Sequence, residues 1–182
     1  MPGSGKSIFA DYANDKDYRT VVMGDVIRAT VIENGFEPIP EMTQKTMIEL
    51  RKEHGEAAVA FITCKVIDKL IEEGINKITI DGIRSQAEVE HFREHLGDDF
   101  IIVAIHTDPT LRYERLKLRG RTDAPISEKD FSKRDEAELK LGLGETIAFS
   151  NYIISNNKTL EHFKKLSFEL LNDLEKEDVN ES

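Results

Sequence analysis

The chain has 182 residues, 39% hydrophobic and 33% charged, with 35 acidic against 25 basic side chains and a formal net charge of −10. That length fits one domain, and the acidic balance argues against a general nucleic-acid or membrane-surface binder, which needs a basic footprint. The lone Cys64 excludes an intrachain disulfide and a cysteine zinc site; with no signal peptide and no apolar run long enough to span a bilayer, the chain is expected in the cytoplasm.

The chain opens on Met-Pro-Gly-Ser-Gly-Lys-Ser. A phosphate-binding P-loop reads G-x-x-x-x-G-K-S/T. Gly5, Lys6 and Ser7 fill its last three positions, with Gly3 inside the loop. Glycines let backbone N–H groups turn inward around phosphate oxygens. The lysine lays its charge on the β- and γ-phosphates, and the serine hydroxyl holds Mg²⁺. A helix over 8–16 would add its positive dipole end. The first glycine of the motif and the buried strand that feeds the loop would precede Met1, so the chain is expected to open inside its own motif. Seven residues alone also fit a flexible Gly/Ser-rich terminus.

A β-branched strand over 19–23 ends at Gly24, and Asp25 is placed as N-cap of a helix over 26–34. After a breaker-rich loop at 35–40, helices are expected over 41–53 and 56–73, the second with a buried face that includes Cys64 as a small hydrophobe. A strand over 77–81 finishes in Asp81, and a polar helix follows over 85–96. The near-continuous apolar run at 100–106 fits a strand in a sheet covered on both faces. Pro109 opens a helix to about Arg119. A turn at 120–126, a charged helix over 127–141, a short helix at 145–149, a strand at 151–154 and an amphipathic helix over 159–177 complete the pattern. Strands alternating with helices predict an α/β fold with a parallel sheet of four strands plus the one absent before Met1, its site carried by loops at the strands' C-terminal ends.

Several residues at those ends carry chemistry. Asp81 stands where P-loop proteins place an acid near the Mg²⁺ shell; a strand-terminal acid capping the next turn is the plainer reading. Asp25 and Arg28 share a helix face. Arg28 suits an anionic acceptor and Asp25 could take a proton from an attacking hydroxyl, although spacing equally fits an N-cap acid with its salt-bridge partner. Arg112, Arg115 and Arg119 line one face of a helix and Arg121 follows in the turn. Such arginines can neutralise charge on a transferring phosphoryl group, or form a solvated basic face. Arg134 could close from the other side or belong to a surface ion-pair ladder. The five histidines show no metal-ligand spacing; His106, at a strand end, is the one placed to touch a ligand.

Together these stretches resemble the nucleoside monophosphate kinase branch of P-loop proteins. MGDVIR at 23–28 is similar to the adenylate kinase segment in which Gly-Asp precedes an acceptor-binding arginine. IDGIRS at 80–85 resembles the Asp-Gly-x-x-Arg region, with Arg84 one position early. RYERLKLRGR at 112–121 resembles the lid-entry helix. SNYIISNNKTLEHF at 150–163 is similar to the end of dephospho-CoA kinase, where a strand leads to an asparagine near the adenine, here Asn156. GDVIR, ELRKEHGEAAVA, DGIRS, FREHLGDDF and GRTDAP resemble an archaeal family of adenylate-kinase-related, dephospho-CoA-kinase-like proteins.

The resemblance implies a three-layer P-loop NTPase fold with a 2-3-1-4-5-like strand order, a helical acceptor-binding insertion at about 29–75 and a short lid at about 120–133. It implies a kinase moving the γ-phosphoryl group of ATP to a nucleotide or nucleotide-like acceptor. Gly3, Ser4, Gly5, Lys6, Ser7 and Asn156 would hold ATP, and Ser7 and Asp81 would hold Mg²⁺. Asp25, Arg28 and Arg84 would hold the acceptor. Lys6, Asp25, Arg115, Arg119 and Arg121 would serve catalysis. The shifted Asp-Gly-Ile-Arg spacing means that the acceptor need not be AMP. Dephospho-CoA kinase, a regulatory ATP-binding module with little turnover, and a structural protein with a decayed loop are the alternatives. The expected partner is the small-molecule acceptor, with no membrane or nucleic acid, and a homo-oligomer is left open.

Overall fold

The computed structural model describes residues 1–119 and 127–180. They form an α/β structure that falls into two compact units, Met1–Lys16 with Ile102–Ser182, and Asp17–Ile101.

The second unit is built on two parallel strands, β1 (Arg19–Val22) and β2 (Ile78–Asp81), in register with Val22 opposite Asp81. Between them run α2 (Met23–Glu33), α3 (Pro40–His54) and α4 (Ala58–Glu72), and α5 (Gln86–Leu96) follows β2. Apolar residues three and four apart on α4 bury Val59, Ala60, Cys64 and Ile67 against Met23, Ile27 and Phe92. Ser85 caps α5 in a reciprocal capping box with Glu88. By contrast α3, 15 residues long, buries only Thr46.

In the first unit α1 (Lys6–Asn14) packs on the long C-terminal helix α9 (Leu160–Asn180). Tyr12 meets Phe163 and Phe168 there, and Lys16 bonds Glu175 and Asn172. The strands β3 (Val103–His106) and β4 (Tyr152–Ser155) pair in parallel, with His106 opposite Ser155. Between them lie α6 (Pro109–Leu118), α7 (Glu128–Lys140) and α8 (Leu143–Ala148). Among the described residues no helix is long and apolar enough to cross a membrane.

Two expectations change. The apolar run at 100–106 contributes a ladder only from Val103, because Gly97–Asp99 forms a 3-10 turn and the Ile102 amide instead takes the Asn151 side chain at 2.9 Å. Asp25 is not the cap of α2: that helix begins at Met23 directly from β1, with Val22 as its cap and Asp25 in its first turn. There a carboxylate still complements the helix dipole.

Cys64 is 3% exposed, as expected of a small core hydrophobe. Burial, with Asp68 nearby, pushes its thiol from 9.0 up to about 11. A group whose pKa is raised on folding contributes stability that is present below the unfolded value and lost as pH rises through the folded one. Stability to urea should therefore decline between about pH 9 and pH 11, and Cys64→Ala should remove that part of the slope. A thiol reagent at pH 8 should label Cys64 only after unfolding.

Candidate functional site

The loop at residues 1–7 is pinned from β3 and β4. Ser4 is fully buried, and its carbonyl accepts from Thr107 Oγ1 at 3.0 Å and Asn156 Nδ2 at 2.9 Å. Thr107 follows β3 and Asn156 follows β4, so the C-terminal ends of two paired strands grip one peptide. Gly3 and Gly5 have φ of 79° and 103°, a left-handed backbone that favours glycine. A Cβ at Gly5 would overlap Asn156 Nδ2, and one at Gly3 would lie 2.9 Å from the Arg112 carbonyl.

Gly5 opens α1 without any side-chain cap, and no acid stands in the first turn. Helix N-termini in this condition offer amides and a positive dipole end to an anion. Lys6 and Ser7 are exposed on that turn, Lys6 Nζ donates to the Met1 carbonyl at 3.3 Å, and the buried Ser4 hydroxyl has no hydrogen-bond partner. The cradle therefore fits a polyphosphate: Gly3, Ser4, Gly5 and Lys6 would hold it, and the Ser7 hydroxyl would hold its Mg²⁺. Among the described residues no group of three or more His, Cys, Asp or Glu side chains is placed to bind a metal ion unaided.

The arginines of α6 have three different environments. Arg112 is 3% exposed. It forms a fork with Asp135 of α7 at 2.8 and 2.5 Å, donates to the carbonyls of Thr107 and Pro2, and lies over the Phe131 ring. It is thus a buried tie between the loop, α6 and α7, not part of a solvated face. Arg115 is half-buried and donates to the Asn156 carbonyl at 3.0 Å and more weakly to Thr107 Oγ1. It thereby contacts the two residues that hold Ser4. Arg119 is exposed, Arg134 is half-buried on α7, and Arg121 lies outside the described residues, as does the start of the expected lid. His106 is exposed, and its carbonyl accepts from the Asn156 amide at 2.8 Å.

In the second unit the register of β1 and β2 sends the 23–28 and 82–85 stretches off the same end of the strand pair. Gly82, with φ 123°, passes so close to Met23 that a Cβ would lie 3.2 Å from the Met23 Cβ. Asp25 accepts both Nε and an Nη of Arg28, an exposed pair. Asp81 is half-buried, and Arg84 is an exposed residue whose amide donates to Glu88 at 2.8 Å. Thr107 and Asp135 were not among the expected site residues. The position of Thr107 just past a strand end was the available signal; Asp135 had none, since its role depends on packing of α6 against α7.

A family model described as an AAA domain matches residues 1–132. A UPF0200 protein of Thermococcus onnurineus is 42% identical over 173 residues, covering 94% of this chain and 92% of the relative. Its counterpart in Methanosarcina mazei is 41% identical over 181 residues, covering 97% and 95%. One in Hyperthermus butylicus is 38% identical over 174 residues, covering 96% and 91%. This chain belongs to the UPF0200 family. The AAA-domain match places this chain among P-loop proteins, whose chemistry is nucleotide binding, typically with Mg²⁺. In the UPF0200 chain that match begins at the loop held by Thr107 and Asn156.

Gly5→Ala should strain the loop and displace Asn156, lowering stability by about 1–3 kcal/mol; Mg·ATP is expected to raise the melting temperature of the parent chain and not that of the variant. Arg112→Ala should cost about 3 kcal/mol in urea unfolding by leaving Asp135 without its partner, a larger effect than Arg119→Ala at the exposed end of α6.

Proposed function

We propose that the chain is a P-loop phosphotransferase that moves the γ-phosphoryl group of ATP to a nucleotide or nucleotide-like small molecule. The observation that carries this reading is the loop itself: two left-handed glycines, a carbonyl anchored on two strand ends, and an uncapped helix start bearing Lys6 and Ser7. Two further features support it. The strands of each parallel pair, β1–β2 and β3–β4, are joined through helices, as the strands of a P-loop α/β fold are. The Gly-Asp-x-x-Arg and Asp-Gly-Ile-Arg stretches leave one end of a strand pair, as an acceptor site requires.

ATP bound with Mg²⁺ supplies an electrophilic γ-phosphorus whose bond to the β–γ bridging oxygen breaks as the acceptor oxygen attacks. The residues have separable tasks. Lys6 and the α1 amides bind and orient the phosphates, and Ser7 is assigned to the metal. Arg28 and Arg84 hold the acceptor's anionic group, and Asp25, already the acceptor of Arg28 hydrogen bonds, takes the proton when the attacking oxygen is a hydroxyl. Arg115, Arg119 and Arg121 are assigned to charge on the transferring group. Catalysis here is positioning and charge stabilisation.

The test is ADP formation from Mg·ATP across a panel of nucleoside monophosphates and dephospho-CoA; no acceptor-dependent turnover with any of them would overturn the reading. In an active pair, Lys6→Ala should abolish ATP binding with the fold retained. Arg115→Ala should lower kcat by about 10²-fold while ATP affinity changes far less. Equal loss of both would make Arg115 a ground-state contact.

A further inference from the structure

The resemblance to dephospho-CoA kinase puts Asn156 beside an adenine, but the side chain is engaged elsewhere. Asn156 is 3% exposed. Its Nδ2 donates to the Ser4 carbonyl at 2.9 Å, and its Oδ1 accepts weakly from Arg115 at 3.4 Å. A side chain this enclosed presents no hydrogen-bonding edge to a base arriving from solvent. Thr107 is equally buried, and a hydroxyl has one proton to give. That proton goes to the Ser4 carbonyl at 3.0 Å, in preference to the Asn156 carbonyl at 3.4 Å. Two buried donors from two strand ends thus converge on one acceptor that belongs to the loop.

The planarity of the peptide gives that convergence a consequence. In a trans peptide the carbonyl and the N–H of the next residue point in opposite directions. Holding Ser4 O against the residues that follow β3 and β4 therefore sends the Gly5 N–H away from them. Gly5 stands immediately before Lys6, where the backbone amides of a phosphate loop turn toward the ligand. The loop cannot keep this orientation alone. Gly3 and Gly5 flank Ser4, and glycine populates positive and negative φ about equally. The direction of the Gly5 amide has to be imposed from outside the loop, and Thr107 and Asn156 are the side chains that impose it. Arg115 does not substitute for them, because its stronger bond is to the Asn156 main-chain carbonyl, at 3.0 Å.

We propose that Asn156 is a positioning residue of the phosphate loop and not a base contact. With Thr107 it fixes the direction of the Gly5 amide, and so sets the affinity for the polyphosphate of a nucleoside triphosphate whatever its base. The inference rests on residues 1–7 being a phosphate loop, and is independent of any phosphoryl transfer.

Calorimetric titration of the full chain with Mg·ATP, Mg·GTP and Mg·tripolyphosphate tests it, since tripolyphosphate has no base to contact. Asn156→Asp keeps the shape of the side chain and replaces its donor with an acceptor. It should weaken each of these ligands that the parent chain binds, by about tenfold and by the same factor. Thr107→Val, which loses the hydroxyl at nearly constant shape, should act in the same direction, and Thr107→Ser, which keeps the hydroxyl, should restore most of the affinity. Should Asn156→Asp fail to fold, the Thr107→Val and Thr107→Ser pair carries the same test. Weakened ATP with tripolyphosphate untouched would make Asn156 a base contact and overturn the proposal. Lower melting temperatures with unchanged affinities would overturn it as well, by making both side chains scaffold only. If the parent chain binds none of the three ligands, the phosphate-loop reading itself falls, and the proposal with it.

Discussion

One carbonyl oxygen organises the candidate nucleotide loop. Ser4 O accepts hydrogen bonds from the side chains that follow two neighbouring parallel strands, so the loop is held to the edge of a rigid ladder rather than to another loop. The glycines on either side are consequences of that anchoring. Once Asn156 reaches Ser4 O, no space remains for a Cβ at Gly5, and the backbone turns into a conformation that favours glycine. The turn then delivers α1 with its first amides uncapped. Phosphate affinity in such a loop comes from backbone geometry, and the geometry comes from β3 and β4.

The basic residues illustrate how burial sorts one residue type into different tasks. Arg112, Arg115 and Arg119 share a helix face and a charge, yet one is enclosed by Asp135 and Phe131, one braces Asn156, and one is exposed. A buried guanidinium needs its charge and donors matched, and Arg112 finds an aspartate fork and two carbonyls. That satisfaction makes it a structural tie. In the second unit Arg28 is half-engaged by Asp25, whereas Arg51 retains an unpaired buried donor.

Much of this was legible in the residues. The Gly-x-Gly-Lys-Ser spacing, the strand-then-helix alternation, the polar helix from Ser85 and the proline at the start of α6 are local signals, each produced by backbone preferences acting over a few residues. Element ends were less so. Asp25 looked like a cap because Gly24 looked like a break, but β1 runs straight into α2, and packing of Met23 in the core carries the helix back over both. The run at 100–106 was apolar enough for a longer strand, yet its first residues are held by a turn and by an asparagine 49 residues away.

The sequence by itself determined that this is a parallel α/β protein with a phosphate loop at its start, because glycine freedom, β-branching and helical periodicity are written in neighbouring residues. Tertiary structure alone decided which arginine is structural, which braces the loop and which still offers a donor. It also decided that Thr107 and Asn156 grip the same carbonyl. Those outcomes depend on burial and on partners more than a hundred residues distant in the chain, and no local pattern encodes the desolvation that makes one partner obligatory and another superfluous.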